Sequence, residues 1–190
     1  DLLLINGEAR WLTVPVSFNF GDMLADTKIA AGAAWGRKMW QTIEQNYRKA
    51  PHFQEYAEGL KNLLDVSGGS LAAFNRMTVE WLLRCFDIET RTVVCSELPA
   101  FCADRTRRLV EVCRHLGADT YFSGVGARDY LEMKEFEAVG IRVEFQEFTH
   151  PVYAQAVAAK AGDFVSHLSA ADGLFNCGGG ADGRKALNLG

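Results

Sequence analysis

Thr120-Tyr121-Phe122-Ser123-Gly124-Val125-Gly126-Ala127-Arg128-Asp129-Tyr130-Leu131 is the stretch on which the fold turns. Thr, Tyr and Phe in succession read as a strand, the two glycines as a turn, and Ala127 onward as the start of a helix. Such a turn aims main-chain N–H groups and the positive end of a helix dipole at one spot. Arg128 adds a fixed charge there, so the stretch is a candidate site for an oxyanion, phosphate or carboxylate, with the Ser123 hydroxyl as a further donor. It is shorter than the G-x-G-x-x-G dinucleotide fingerprint and lacks the Gly-Lys-Ser/Thr ending of a P-loop. The same glycines would also appear in a tight turn that needs positive φ and binds nothing.

The flanks repeat the alternation. Thr90–Ser96 has strand composition. Asp104 is an N-cap for a helix over Arg105–Leu116, and Gly117 stops it. The helix begun at Ala127 runs to Val139 and stops at Gly140. In Ile141–Phe148 the apolar Ile141, Val143 and Phe145 alternate with Arg142, Glu144 and Gln146, as in an edge strand. The order β-α-β-α-β with short connections implies a parallel sheet with right-handed crossovers.

Earlier segments read differently. Asn6-Gly7 is a two-residue turn between Leu2–Ile5 and Arg10–Val16, hence a hairpin, with Pro15 at a strand end or edge. Asp26–Ala30 suits another short strand. From Ala33 to Leu64 the period is helical: Trp35, Met39, Ile43 and Tyr47 share a core face, Ala50-Pro51 breaks the helix, and Phe53, Tyr56, Leu60 and Leu63-Leu64 form a second stripe. Asp65–Ser70 is a loop, and Ser70 is the N-cap of a third helix over Leu71–Phe86. After Ala154 the pattern gives two short helices around Ser169–Phe175. Gly178-Gly179-Gly180 and the polar residues beyond it read as a flexible end.

Composition narrows the class. Hydrophobic residues make up 48% and charged residues 23% of 190, with twelve Phe and four Trp, the profile of a soluble globular domain. A net charge of −4 gives no global basic field for duplex DNA or anionic lipid. No apolar run approaches the roughly 18 residues of a membrane span, and no signal peptide is recognisable. The five cysteines lack CxxC spacing and read as reduced thiols of a cytoplasmic protein, with Cys95 and Cys113 in the core. The chain opens abruptly in an apolar run without Met, as a truncated or processed chain would.

In a parallel sheet, ligands gather beyond the carboxyl ends of the strands. The loops Glu97–Asp104, Ser123–Arg128 and Thr149–Tyr153 are therefore expected to converge on one rim. His150 is a candidate general base or a plain loop histidine. Tyr153 and Gln155 share a face if that segment is extended, and either bind a ligand or pack. Lys38, in a basic pair at a helix start, opposes the dipole and is a phosphate candidate or a solvated side chain. Ser169 is an N-cap with Asp172 three residues on, a variant capping box; Asp172 is also a candidate to position a basic or hydroxyl group.

Several of these stretches together resemble the WbqC-like family of bacterial proteins. They are Trp11-Leu12-Thr13-Val14-Pro15-Val16, Trp35-x-x-Lys38 with Tyr47-x-Lys49-Ala50-Pro51-x-Phe53, Ser96-Glu97-Leu98, Arg108-Leu109 through Leu116-Gly117-Ala118-Asp119 to Tyr130-Leu131, Gly140-Ile141, Tyr153-x-Gln155, and Leu168-Ser169-x-x-Asp172-x-Leu174-Phe175-Asn176-x-Gly178. The likeness spans nearly the whole chain in the same order. It implies a place in surface-polysaccharide or other specialised biosynthesis, and transfer of an acyl or aminoacyl group onto the amine of a nucleotide-linked amino sugar. It adds Tyr130 and Asn176 to the candidate site. Two departures stand out. The family's His-x-Pro-x-Tyr-Leu-Pro-Trp opening, with the Asp-Asp strand and Arg-Asn pair after it, is not in this sequence, which places part of the site upstream of Asp1. Met39 stands where the family favours His.

The expected fold is α/β: a Rossmann-like parallel sheet in the second half, preceded by a β hairpin and a three-helix section. A single domain is expected, with sections at 1–30, 31–88, 89–153 and 154–190. The expected activity is an acyl or aminoacyl transferase acting on a small anionic substrate. Ser123, Gly124, Gly126 and Arg128 would hold the anion, His150 or Asp172 would take the proton of the attacking amine, and Tyr153 and Gln155 would orient the acceptor. Tyr130, Asn176, Lys38 and Glu97 complete the binding set. The alternatives are a non-catalytic binding protein and a nucleotidyl-transfer or ligase enzyme. The sequence requires no metal and identifies no cofactor; the expected partner is a small anionic molecule, not nucleic acid or membrane.

Overall fold

A computed structural model describes residues 1–30, 34–66, 68–157 and 162–189. The chain divides into two compact units, Asp1–Thr90 with His150–Gly190, and Arg91–Thr149. Each has its own apolar cluster.

The first unit opens with the hairpin β1 (Leu2–Ile5) and β2 (Glu8–Trp11), paired antiparallel with Ile5 opposite Glu8. Asn6 and Gly7 take φ of 51° and 77°, the left-handed pair that a two-residue hairpin turn requires. The second strand starts at Glu8 and ends at Trp11, before Pro15 interrupts. Val16–Ser17 (β3), Lys28–Ile29 (β4) and Gly69–Ser70 (β5) form a small antiparallel sheet in that order. Helix α1 (Ala34–Tyr47) buries Gly36, Trp40, Ile43 and Tyr47 along one face. Helix α2 (Phe53–Leu64) buries Phe53, Leu60 and Leu64. Helix α3 (Leu71–Cys85) is capped by Ser70, whose hydroxyl accepts the Ala73 N–H. The expected helix start at Ala33, Ser67 of the loop, residues 158–161 of the tail and Gly190 lie outside the described residues.

The C-terminal part of this unit corrects one expectation. Gly178-Gly179-Gly180 is not a loose end but a packed corner between α6 (Ala170–Cys177) and α7 (Gly180–Ala186). Gly179 donates its N–H to the Tyr56 hydroxyl at 2.9 Å, and a methyl on Gly179 would run into the Cys85 carbonyl oxygen. Arg184 donates to the carbonyls of Phe86 and Asp87, which ties α7 down.

The second unit holds α4 (Arg105–His115), β6 (Thr120–Ser123), a 3₁₀ turn (Val125–Asp129), α5 (Met133–Glu137) and β7 (Arg142–Phe145). Asp104 caps α4 by accepting the Arg107 N–H at 2.8 Å. β6 and β7 are parallel, with Ser123 opposite Phe145. Val110, Cys113, Ala127, Leu131, Phe136 and Ile141 form the core between helices and strands.

Two expectations fail here. Thr90–Ser96 forms no strand; it runs without regular secondary structure into a 3₁₀ turn at Cys95–Glu97, and Cys95 is exposed rather than core. The parallel sheet among the described residues is therefore two-stranded, and the rim of three strand ends reduces to the ends of β6 and β7. The helix expected over Ala127–Val139 is split. The 3₁₀ turn lets Ala127 and Leu131 both reach the core, and the Thr106 hydroxyl takes the Glu132 N–H at 3.3 Å before α5 begins. The architecture is mixed α/β with seven α-helices and small sheets among the described residues. None of those helices is long and apolar enough to cross a membrane.

Candidate functional site

The candidate residues fall in two places, one in each unit. In the second unit the end of β6 delivers Ser123 and Gly124, and the 3₁₀ turn that follows carries Gly126 and Arg128. Gly124 has φ −69° and ψ 150°, and Gly126 is not among the positive-φ glycines. The turn thus needs no glycine for its backbone. Packing does not need one either: a methyl built on Gly124 or Gly126 meets no atom within 4 Å. The glycine-for-φ explanation of this motif is removed.

Arg128 is exposed and lays its guanidinium over the Phe145 ring, 4.8 Å from the centroid. This contact fixes the direction of the charge without neutralising it. Arg128 has no ion pair among the described residues. Tyr130, just beyond the turn, is exposed, and Glu97 sits in the Cys95–Glu97 turn of the same unit.

In the first unit the structure gathers Tyr153, Gln155, Asp172 and Asn176 around α6, and adds Tyr47 from α1. Asp172 is fully buried. Its Oδ1 accepts the Tyr47 hydroxyl at 2.6 Å, and its Oδ2 accepts the Tyr153 hydroxyl at 2.7 Å and Gln155 Nε2 at 3.4 Å. The carboxylate therefore lies among hydroxyl and amide donors, in the first turn of α6 where the helix dipole favours negative charge. Ser169 caps that helix by accepting the Ala171 N–H, so the expected capping box is only half realised: Asp172 turns to the tyrosines instead. Burial, then the neighbouring Asp172 charge and hydrogen bond, push the Tyr47 hydroxyl well above the usual tyrosine range. Burial and the Asp172 bond do the same for Tyr153. Both phenols stay protonated and act as donors.

Other candidates are engaged with main chain. Gln155 donates to the Val165 carbonyl at 2.9 Å and accepts the Val165 N–H at 3.0 Å. Asn176 accepts the Ala156 N–H and donates to the Asp172 carbonyl, both at 2.8 Å. His150 Nδ1 lies 2.8 Å from the Pro151 carbonyl and its Nε2 accepts the His167 N–H at 3.0 Å, a pattern that fits the neutral Nδ1–H tautomer. Lys38 is exposed on α1.

Tyr47 was expected on the core face of the first helix and within the stretch that resembles the family, but not among the site residues. Its place on the apolar stripe of α1 made it a core residue, which it is; the signal lay in its being Tyr where Phe would suffice. Its hydroxyl accepts the Leu4 N–H at 2.9 Å while donating to Asp172, so it links β1, α1 and α6. Among the described residues no three His, Cys, Asp or Glu side chains converge as a metal site would need.

Comparison with known proteins gives two matches. The model of the WbqC-like protein family matches residues 2–182. An uncharacterised protein of Mycobacterium tuberculosis (strain ATCC 25618 / H37Rv), Rv1507c, is 31% identical over 174 residues, which is 89% of this chain and 72% of the relative. No solved structure matches.

Proposed function

The chain belongs to the WbqC-like protein family, and on that premise we propose that it is a biosynthetic transferase that binds a small anionic substrate, a nucleotide-linked amino sugar or a close analogue, and moves an acyl or aminoacyl group onto its amine. The observation that carries the anion-binding half is the pair Gly124 and Gly126. Neither is needed for backbone conformation or for packing, and bare glycine is what close approach of a ligand to main chain requires. Arg128, without an ion pair among the described residues and steered by Phe145, supplies the charge beside them. A phosphate or carboxylate would take the main-chain N–H groups of the turn and the guanidinium together.

Within the first unit, taken by itself, Asp172 is a positioning residue rather than a base, because both its oxygens already accept hydroxyl hydrogens and no solvent reaches it. It holds Tyr153 as a donor. A second reading, binding without chemistry, is favoured by the engagement of both His150 ring nitrogens with main chain.

The test is a thermal-shift screen of the protein with nucleotide sugars, free nucleotides and inorganic phosphate, followed by mass-spectrometric search for an acylated amino sugar when an acyl donor is added. A stabilising shift that Arg128→Ala abolishes supports the anion site, and an acylated product supports the transferase. Shifts unaffected by Arg128→Ala sink the anion site; binding with no product under any acyl donor leaves the second reading standing.

A further inference from the structure

A pocket of about 220 Å³ lies in the first unit, away from the Asp172 cluster, where the start of α1 meets the end of α2. Gly36, Arg37, Trp40, Lys61, Asn62 and Asp65 line it. Gly36 brings the two helix ends to backbone contact: a methyl there would run into the Leu64 carbonyl oxygen. Around that contact stand polar side chains left without ion pairs among the described residues. Arg37, Lys61 and Asp65 make no ion pair, and Asn62 no side-chain hydrogen bond, among the described residues. Lys61 and Asp65 are four residues apart and still do not pair. The Lys61 ammonium lies 6.0 Å from the Trp40 ring centroid instead.

The charges are arranged with both signs. Arg37 stands at the first turn of α1, and Asp65 directly follows the last turn of α2, so each adds to the helix dipole at its own side of the pocket. A simple anion would meet the Asp65 carboxylate, and a simple cation would meet Arg37 and Lys61. A small zwitterion satisfies both, with its carboxylate toward Arg37 and Lys61 and its ammonium toward Asp65. We infer that this pocket binds a free α-amino acid. The inference rests on neither the Arg128 loop nor the proposed transfer.

The test is calorimetric titration of the intact protein with a panel of the common free amino acids, with acetate, methylamine and inorganic phosphate as ligands carrying only one charge type. Saturable binding of at least one amino acid is expected, weakened about tenfold by Arg37→Ala and by Asp65→Asn, since each removes a charge-assisted bond. Arg128→Ala should leave it unchanged. Both pocket substitutions are at exposed positions, and circular dichroism verifies that the variants fold. The inference is overturned if no amino acid saturates the folded protein, if acetate or phosphate binds as well as the amino acid, or if neither pocket substitution weakens binding.

Discussion

The Tyr47 hydroxyl serves two buried polar groups of the first unit at once, the Leu4 N–H and the Asp172 carboxylate. Replacing it with Phe keeps the ring against Phe175, 5.3 Å between centroids, but strips a donor from the buried Asp172 carboxylate and an acceptor from the Leu4 N–H. Leaving two buried groups short of a partner costs about 3 kcal/mol. Tyr47→Phe should therefore lower stability by that order in urea unfolding, while Tyr130→Phe, on the exposed surface, should leave it within about 0.5 kcal/mol. The same cluster sets an alkaline limit. The hydroxyls of Tyr47 and Tyr153 are held protonated far above their ordinary value, and Tyr56, mainly by burial and its bond to Glu55, is pushed up to about 12. Below about pH 10 these groups are protonated whether the chain is folded or not, and their contribution is intact. Above it the unfolded chain releases protons that the folded protein retains, so stability falls as pH rises, by about 1.4 kcal/mol per pH unit for Tyr47 alone. Melting temperature followed from pH 8 to 12 should drop steeply in the upper half of that range, and less steeply in Tyr153→Phe. None of this was legible beforehand: a stripe of Trp, Met, Ile and Tyr defines a buried face, but not which partner a hydroxyl on it will meet across 125 residues.

At the scale of elements, local signals with a fixed chemistry transferred well. Asn6-Gly7 made its hairpin turn, Ser70, Asp104 and Ser169 capped their helices, and Gly117 and Gly140 closed theirs with positive φ. Each of these depends on a few adjacent residues. Thr90–Ser96 failed because strand propensity measures fit to a half-buried pleated surface, and this segment has none: it is exposed along most of its length and no ladder receives it. The Gly178–Gly180 run failed for the opposite reason. Composition suggested freedom, but Gly179 and Gly183 are glycine because main chain passes where a side chain would be, at the Cys85 and Gly178 carbonyls. Gly179→Ala should accordingly destabilise by about 2 kcal/mol, as overpacking does, read by chemical denaturation; an unchanged midpoint would mean that the α6–α7 corner is not as close-packed as described.

For the molecule as a whole, two cores and two candidate places were less legible than the elements. A β-α-β-α-β reading predicts one continuous rim, whereas the described residues give a two-stranded parallel pair in one unit and the tyrosine–carboxylate cluster in the other. The residues carrying the resemblance to the WbqC-like family were legible in full, and the family match over residues 2–182 agrees with them. What the three-dimensional arrangement adds is a sorting of those residues. Gln155 and Asn176 hold main chain together, Asp172 positions two tyrosines, Gly124 and Gly126 are needed neither for backbone conformation nor for packing, and Arg128 lies over Phe145 with no ion pair among the described residues. A protein that binds its substrate through that turn should be stabilised by the ligand alone, with a melting shift that grows with ligand concentration above the dissociation constant.

The glycines separate a ligand role from a structural one in a single experiment. Gly126→Ala is sterically open and needs no unusual φ, so it should leave the unliganded melting temperature unchanged or raise it slightly, worth about 0.4–1 kcal/mol through the unfolded chain. If the turn cradles an anion, the new methyl stands where the ligand approaches main chain, and titration with the nucleotide sugar that stabilises the parent protein should show affinity reduced at least about tenfold. A Gly126→Ala protein that keeps its stability and binds the nucleotide sugar as tightly as the parent would contradict the account.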